Sequence, residues 1–306
     1  MRFTSFSTSY GIIGFKRKIM PSKITLVLLS SLGLSACAQL PEVEAKQQGI
    51  PLKVCAAENE MPYSNSKGEG FENKLAEFVG RGLGRKIEYV SWKDPRYFIR
   101  DLLDKKQCEL VMGLDTGDPR VATTEPYYRS GYVFITKEQD ADSAQNWDGE
   151  LIKKAKNIAF MPGTPAETML RAIGRYNDMF NYQHELVGFK SPRNQYVKYE
   201  NSKLVSEVAS GKAEVAVLWG PAAARYVKES SVPLAMTVIP DNNVRADGQK
   251  VPHHFSTSMG VRKDDRELLN ALNALIKDKQ GDIEEILEAE NIPLVTEDQS
   301  AMAKNN

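Results

Sequence analysis

Residues 52–92 read LKVCAAENEMPYSNSKGEGFENKLAEFVGRGLGRKIEYVSW, and the order of elements in this stretch decides the fold. Leu52 to Ala57 is a short apolar strand, and Glu58 to Gly70, rich in Asn, Ser, Gly and Pro, is an exposed loop. From Phe71 the apolar residues Leu75, Phe78, Val79 and Leu83 recur at helical spacing until Gly82 and Gly84 supply a stop. Ile87 to Trp92 is a second strand, Tyr97 to Leu103 a second helix, and Cys108 to Leu114 a third strand. Strands that alternate with helices imply an α/β protein whose sheet is covered on both faces.

Outward from that stretch, Tyr127 to Lys137 is extended and Glu138 to Asp148 is a polar surface connection, where a lobe boundary falls. The pattern then restarts with strands at Asn157 to Met161, Glu185 to Phe189, Val215 to Leu218 and Leu234 to Pro240. Helices fall at Pro165 to Tyr176, Leu204 to Ala209 and Ala222 to Lys228. Asp241 to Pro252 is a polar loop, Ser256 to Arg262 is extended, and two helices follow, with Leu268, Leu269, Leu272, Leu275 and Ile276 on one apolar face. Those helices close the first lobe. The expected organisation is residues 51–137 and 256–297 in a discontinuous first lobe and 138–255 in a second, each with a central mixed sheet, and a flexible tail at 298–306.

Lys plus Arg and Asp plus Glu number 40 each in 306 residues, so no net field draws a polyanion or an anionic bilayer, and nucleic-acid binding is disfavoured. Lys16, Arg17, Lys18 and Lys23 precede an apolar run from Ile24 to Leu34 that ends in small residues, which reads as a signal peptide over residues 1–38, with Met20 an alternative start. The run is too short to span a bilayer. Ala36-Cys37-Ala38 suits release by signal peptidase, whereas Leu34-Ser35-Ala36-Cys37 also reads as a lipoprotein box with an anchor at Cys37; residues 39–50 are a linker. Either route leads to the periplasm, where Cys55 and Cys108 are expected to form a disulfide, the alternative being two buried thiols.

Pro62-Tyr63, Gly70-Phe71-Glu72, Arg120 and Pro126-Tyr127 follow the order found in periplasmic solute-binding proteins of the amino-acid type, so the chain resembles that two-lobed fold. More closely, Cys55-Ala-Ala-Glu-Asn-Glu-Met-Pro-Tyr63, Gly68-Glu-Gly-Phe-Glu-Asn73, Asp115-Thr-Gly-Asp-Pro-Arg-Val121, Pro126-Tyr-Tyr-Arg-Ser-Gly-Tyr132 and Gly281-Asp-Ile-Glu-Glu-Ile-Leu287 resemble the MxaJ (MoxJ) family of bacterial methanol oxidation. A sister family, associated with the lanthanide-dependent methanol dehydrogenase, is similar. The resemblance implies a periplasmic accessory protein, with no reaction of its own, that serves a methanol dehydrogenase. Pyrroloquinoline quinone and calcium or a lanthanide would belong to that partner, and the chain is expected to hold no cofactor or metal. The alternatives are a small-solute receptor feeding a transporter and a cleft enzyme.

In the amino-acid binders that this fold resembles, an Arg after the third strand pairs with the ligand carboxylate and an Asp pairs with its ammonium. Arg120 holds the first place, but Asp115, where a hydroxyl residue is usual, and Asp118 compete for it, with Thr116 beside them. Within Gly211-Lys-Ala-Glu-Val-Ala-Val-Leu-Trp-Gly-Pro221 the second place is Trp219, which cannot pair an ammonium. An amino-acid zwitterion therefore loses both partners. Gly163-Thr164 before Pro165 could offer backbone donors to an anion, or Thr164 could be a plain cap. Adjacent His253 and His254 make a poor metal pair and suit a surface loop. Glu58, Glu60, Glu69 and Glu72 could gather a hard cation but more commonly form a solvated face. The exposed face around Tyr63, Glu69 and Tyr128 is the expected partner contact.

Overall fold

The computed structural model describes residues 49–186 and 200–296. The expected signal peptide, Cys37 with its anchor, most of the linker and the tail lie outside the described residues. The chain opens with β1 (Leu52–Ala57), a two-residue pair β2 (Asn59–Glu60) and β3 (Ser64–Asn65), α1 (Phe71–Gly82) and β4 (Ile87–Trp92). A 3-10 turn at Pro95–Tyr97 and a π turn at Ile99–Leu103 lead to β5 (Leu110–Asp115), β6 (Ala122–Thr123) and the long β7 (Tyr128–Lys137). Next come α2 (Glu150–Lys154), β8 (Ile158–Phe160), α3 (Pro165–Ala172), α4 (Phe180–Leu186) and α5 (Asn201–Ala209). The order closes with β9 (Val215–Trp219), α6 (Gly220–Lys228), β10 (Leu234–Val238), β11 (His254–Val261), α7 (Arg266–Asp278) and α8 (Gln280–Ala289).

The strands join in the order β4-β1-β5-β11-β7-β9-β8, with β10 on β7 and β6 on β11. β4, β1 and β5 are parallel, β8 and β9 are parallel, and β11 and β7 run antiparallel to their neighbours, so the sheet is mixed. β7 belongs to both halves: Tyr128 to Gly131 pair with β11, and Tyr132 to Lys137 pair with β9 and β10. Helices cover one face of the first half and both faces of the second, and the short turns over 95–103 cover the remaining face, as buried strands require. Leu75 and Val79 of α1, Leu272 of α7 and Leu287 of α8 bury against Leu52 and Leu110, so the last helices do pack on the first half of the sheet. Phe134, Phe160 and Trp147 build one core of the second half, and Val205, Ala216 and Ala223 build the core on its other face.

Cys55 and Cys108 form the expected disulfide, with Cα atoms 5.5 Å apart, beneath Phe98, Leu102 and Leu103. The expected helix over 97–103 is instead two short turns, begun where the Asp94 carboxylate accepts the Arg96 N–H ahead of Pro95. α3 stops at Ala172, short of Tyr176, because Gly174 turns to φ +74° and the N–H groups of Gly174 and Arg175 cap the carbonyls of Arg171 and Leu170. Glu185, where a strand was expected to begin, lies in α4, whose Tyr182 donates its hydroxyl to Glu207 of α5 at 2.9 Å, and the remainder of that expected strand, residues 187–189, lies outside the described residues. The connection expected to be a polar surface segment buries Ala144 and Trp147.

Candidate functional site

Where the halves of the sheet meet, a cavity of about 530 Å³ opens. Its floor follows from register. Asp115 of β5, Thr257 of β11 and Tyr128 of β7 stand abreast across three neighbouring strands, and Tyr132 is opposite Trp219 one strand further on. Alternation along β11 brings Phe255 to the same face as Thr257. Tyr132, Trp219 and Phe255 form a triangle of rings with centroids 5.5, 6.0 and 6.1 Å apart, steeply inclined to one another, and all three line the cavity.

The opposite wall comes from the loop before α1 and the start of that helix. Gly70 is needed there because a Cβ would collide with the Tyr63 carbonyl, and the Asn73 side chain accepts the Gly70 N–H at 3.1 Å to set the first turn. Tyr63 packs on Phe71 with centroids 5.3 Å apart and turns into the cavity. Glu72 lies against Gly113 of β5, which sits at φ +71° and whose Cβ, if present, would overlap the carboxylate. Burial, reinforced by the neighbouring charge of Glu60, pushes the Glu72 carboxyl up to about 7. Burial also holds the Tyr63 and Tyr128 hydroxyls above their ordinary range. Neither Glu72 nor Asp115 forms an ion pair among the described residues. The cation of the lining, Arg96, is held by a two-point pair with Asp94.

The structure divides the expected site residues. Asp115, Trp219, Tyr63 and Tyr128 line the cavity. Arg120, Thr116, Thr164 and Glu69 are not in the lining. Arg120 pairs with Asp118 rather than Asp115, at 3.0 Å from Nε and 2.5 Å from Nη2, because the same Asp118 carboxylate also accepts the Arg120 backbone N–H and the two residues share one turn. That pair holds the Asp118 carboxyl below the usual range. Thr116 bonds the Ser258 hydroxyl at 2.7 Å, and Thr164 donates to the Met161 carbonyl. The expected exposed face at Tyr63 and Tyr128 is corrected: Tyr128 is 5% exposed inside the cavity and Tyr63 is half-buried, whereas Glu69 is exposed and accepts from the Asn65 side chain at 2.7 Å.

The acidic cluster of the first loop is likewise divided, with Glu60 and Glu72 in the lining and Glu69 outside it. The histidines are not in a surface loop. His253 is fully buried, its Nε2 accepts the Trp147 indole N–H at 3.1 Å, and His254 bonds the Ile239 carbonyl at 2.9 Å. Sequence reasoning missed Tyr132, Phe255 and Glu72 as lining residues. The signal for Tyr132 was its pairing with the stretch that ends in Trp219, visible only once strand neighbours are known.

Residues 52–289 match the family described as bacterial extracellular solute-binding proteins, family 3. Protein MoxJ of Methylorubrum extorquens is 42% identical over 281 residues, covering 89% of this chain and 93% of that protein. Among solved structures, MxaJ from Methlophaga aminisulfidivorans MPT is 47% identical with a TM-score of 0.75, covering 80% of this chain and all of that one. The periplasmic binding protein XoxJ from Methylobacterium extorquens AM1 is 28% identical with a TM-score of 0.59 over the same 80% of this chain and all of its own. Among the described residues no helix is long and apolar enough to cross a membrane. The match across most of the chain and the identity to MoxJ together make this chain a member of the family 3 extracellular solute-binding proteins, within their MoxJ (MxaJ) group.

Proposed function

We propose that the chain is a periplasmic accessory protein of methanol oxidation that acts by binding, without a reaction of its own, and assists maturation, assembly or activation of a quinone-dependent methanol dehydrogenase. The observation that carries this reading is the likeness to MoxJ over nearly the whole of both chains. The site is in keeping with it: the cleft of a solute receptor is kept, while Arg120 is turned to Asp118 outside the lining and Trp219 stands where an ammonium partner would be needed. An amino acid entering this cleft would meet Asp115 where its carboxylate needs a guanidinium and an indole where its ammonium needs an acid. The second reading, a receptor that delivers a small solute to a transporter, is favoured by the cavity itself, whose volume is in the range of small-molecule sites.

Deleting the gene and assaying the periplasm for dehydrogenase polypeptide, bound quinone, bound metal and methanol oxidation separates the two. The accessory reading expects the polypeptides to be made with little methanol-oxidising activity. Normal values for all four, together with failure to take up some solute, would establish the receptor reading instead.

A further inference from the structure

We infer that the cleft takes an organic cation, an ammonium group carried on an apolar stem, in the corner formed by Tyr132, Trp219 and Phe255. The inference stands apart from the accessory reading, because it concerns what the purified protein binds. It begins with the rings. Three aromatic side chains whose centroids are 5.5 to 6.1 Å apart leave a position over the triangle that lies within about 6 Å of every centroid. A cation seated over a ring face in this corner gains from that ring's quadrupole, whereas an anion over the same face is repelled.

Charge in the rest of the lining has the same sign of preference. Glu72, Glu60 and Asp115 present carboxylates to the cavity, and the guanidinium of Arg96 is taken up by Asp94. A ligand carboxylate would have to compete with Asp94 for the cation of the lining, which distinguishes the proposed ligand from an amino acid. Its apolar stem would lie along Val111, Met112 and Phe98. The groups that face Glu72 are Glu60 of β2, Tyr63 of the preceding loop, Tyr127 just before β7 and Tyr128 of β7, all neutral or anionic. A cation entering the cleft relieves that mutual repulsion and favours the ionised carboxylate, so binding and proton release are linked.

Two sources share this chemistry, a free alkylamine and a lysyl side chain presented by another protein. Calorimetry on the purified mature chain uses n-butylammonium, tetramethylammonium and Nα-acetyl-lysine-N-methylamide, with 1-butanol, butanoate and free lysine as comparisons. The expected result is binding of at least one cation at pH 8, weaker by roughly fivefold or more at pH 6 as Glu72 is protonated. The comparisons should give no heat, and Glu72→Gln should flatten the pH dependence. Trp219→Ala and Phe255→Leu should each weaken binding by about tenfold while melting as cooperatively as the parent. Binding of the small amines alone assigns a solute source, and binding of the lysyl compound alone assigns a protein source. Silence of all three cations to about 10 mM, or butanol or butanoate binding as well as they do, overturns the inference. Because the ligand series is run on the unaltered chain, it decides the matter even if a variant fails to fold. Loss of dehydrogenase function in a deletion strain has no bearing on it.

Discussion

His253 is held neutral by its partners. The Trp147 indole can only donate, so Nε2 must accept, which leaves the proton on Nδ1 to bond the Val251 carbonyl at 2.8 Å. A second ring proton would face the indole N–H inside a buried cluster, and burial lowers the histidine from 6.5 to about 4. The folded form therefore resists protonation while the unfolded chain accepts it. Stability is fully present above 6.5 and is lost as pH falls through that value toward 4, by roughly 3 kcal/mol in total. His254, also lowered by burial, adds in the same direction. Urea unfolding of the parent and of His253→Phe between pH 7 and 4.5 checks this: the parent should lose the added slope that the variant lacks. Parallel curves would place the acid sensitivity elsewhere. None of this was legible in the sequence, where two histidines at the end of a polar loop have no visible partner. Trp147 lies 106 residues away, and only the completed fold brings it to His253. The sequence offered both Asp115 and Asp118 to Arg120, and which of them takes it was not legible, since residues so close in sequence are separated by turn geometry rather than by spacing.

At the scale of elements, β1 and α1 were readable because their apolar pattern coincides with their burial and because Gly70 and Gly82 punctuate the helix, whereas β4 was readable from its apolar run although its residues are half-buried or exposed. β7 was readable as one long strand, but its service to both halves of the sheet was not, because a strand's hydrophobic pattern is silent about its neighbours. Glu185 and Leu186, read as the start of a strand, form the end of α4, which is tied to α5 where Tyr182 donates to Glu207. The disulfide draws on what could be read, since β1 and β5 are adjacent parallel strands and Cys55 and Cys108 sit beside that pairing. The bridge closes 53 residues of chain, including α1 and β4, and limits the unfolded ensemble accordingly. Replacing both cysteines by Ser should lower the unfolding free energy by about 4 kcal/mol under the chain-entropy account. The measurement is equilibrium unfolding of the mature chain with and without the pair. A loss below about 1 kcal/mol would mean that the unfolded chain gains little freedom when the bridge is absent.

Across the whole molecule the halves are tied together opposite the free ends of the strands. Arg225 of α6, on the second half, donates from Nε and Nη2 to Glu290 just beyond α8, at 3.0 and 2.8 Å, and Lys74 of α1 pairs with the same carboxylate. Glu290 is 8% exposed at its side chain and Arg225 13%, whereas Lys74 is half-exposed, so a shielded pair with an outer lysine joins three helices. Burial would raise the Glu290 carboxyl, but the two cations outweigh it and hold it below its ordinary range. Lys228 adds a bond of 2.6 Å to the Ala289 carbonyl, and Ser130 one to the Pro293 carbonyl. Breaking it on one side is costly, because the shielded Arg225 guanidinium keeps only the neutral Glu69 carbonyl as acceptor, by about 3 kcal/mol or more. Glu290→Gln keeps the shape and removes the charge, so it should lower the melting temperature by about 6 °C or more for a protein of this size. The same variant should also widen the mean separation of the halves, read as the distance between spin labels placed on exposed residues of α7 and α5. Pairing Glu290→Leu with Arg225→Met removes the stranded cation, and most of the melting temperature should return while the wider distance distribution persists. If the single variant melts normally and keeps the parental distance, the triad is a surface ornament and the halves are held by β7 and β11 alone. If the double variant is less stable than the single one, the charges contribute attraction beyond the cost of burying them, and the clasp acts through the ion pair itself rather than through the penalty of breaking it.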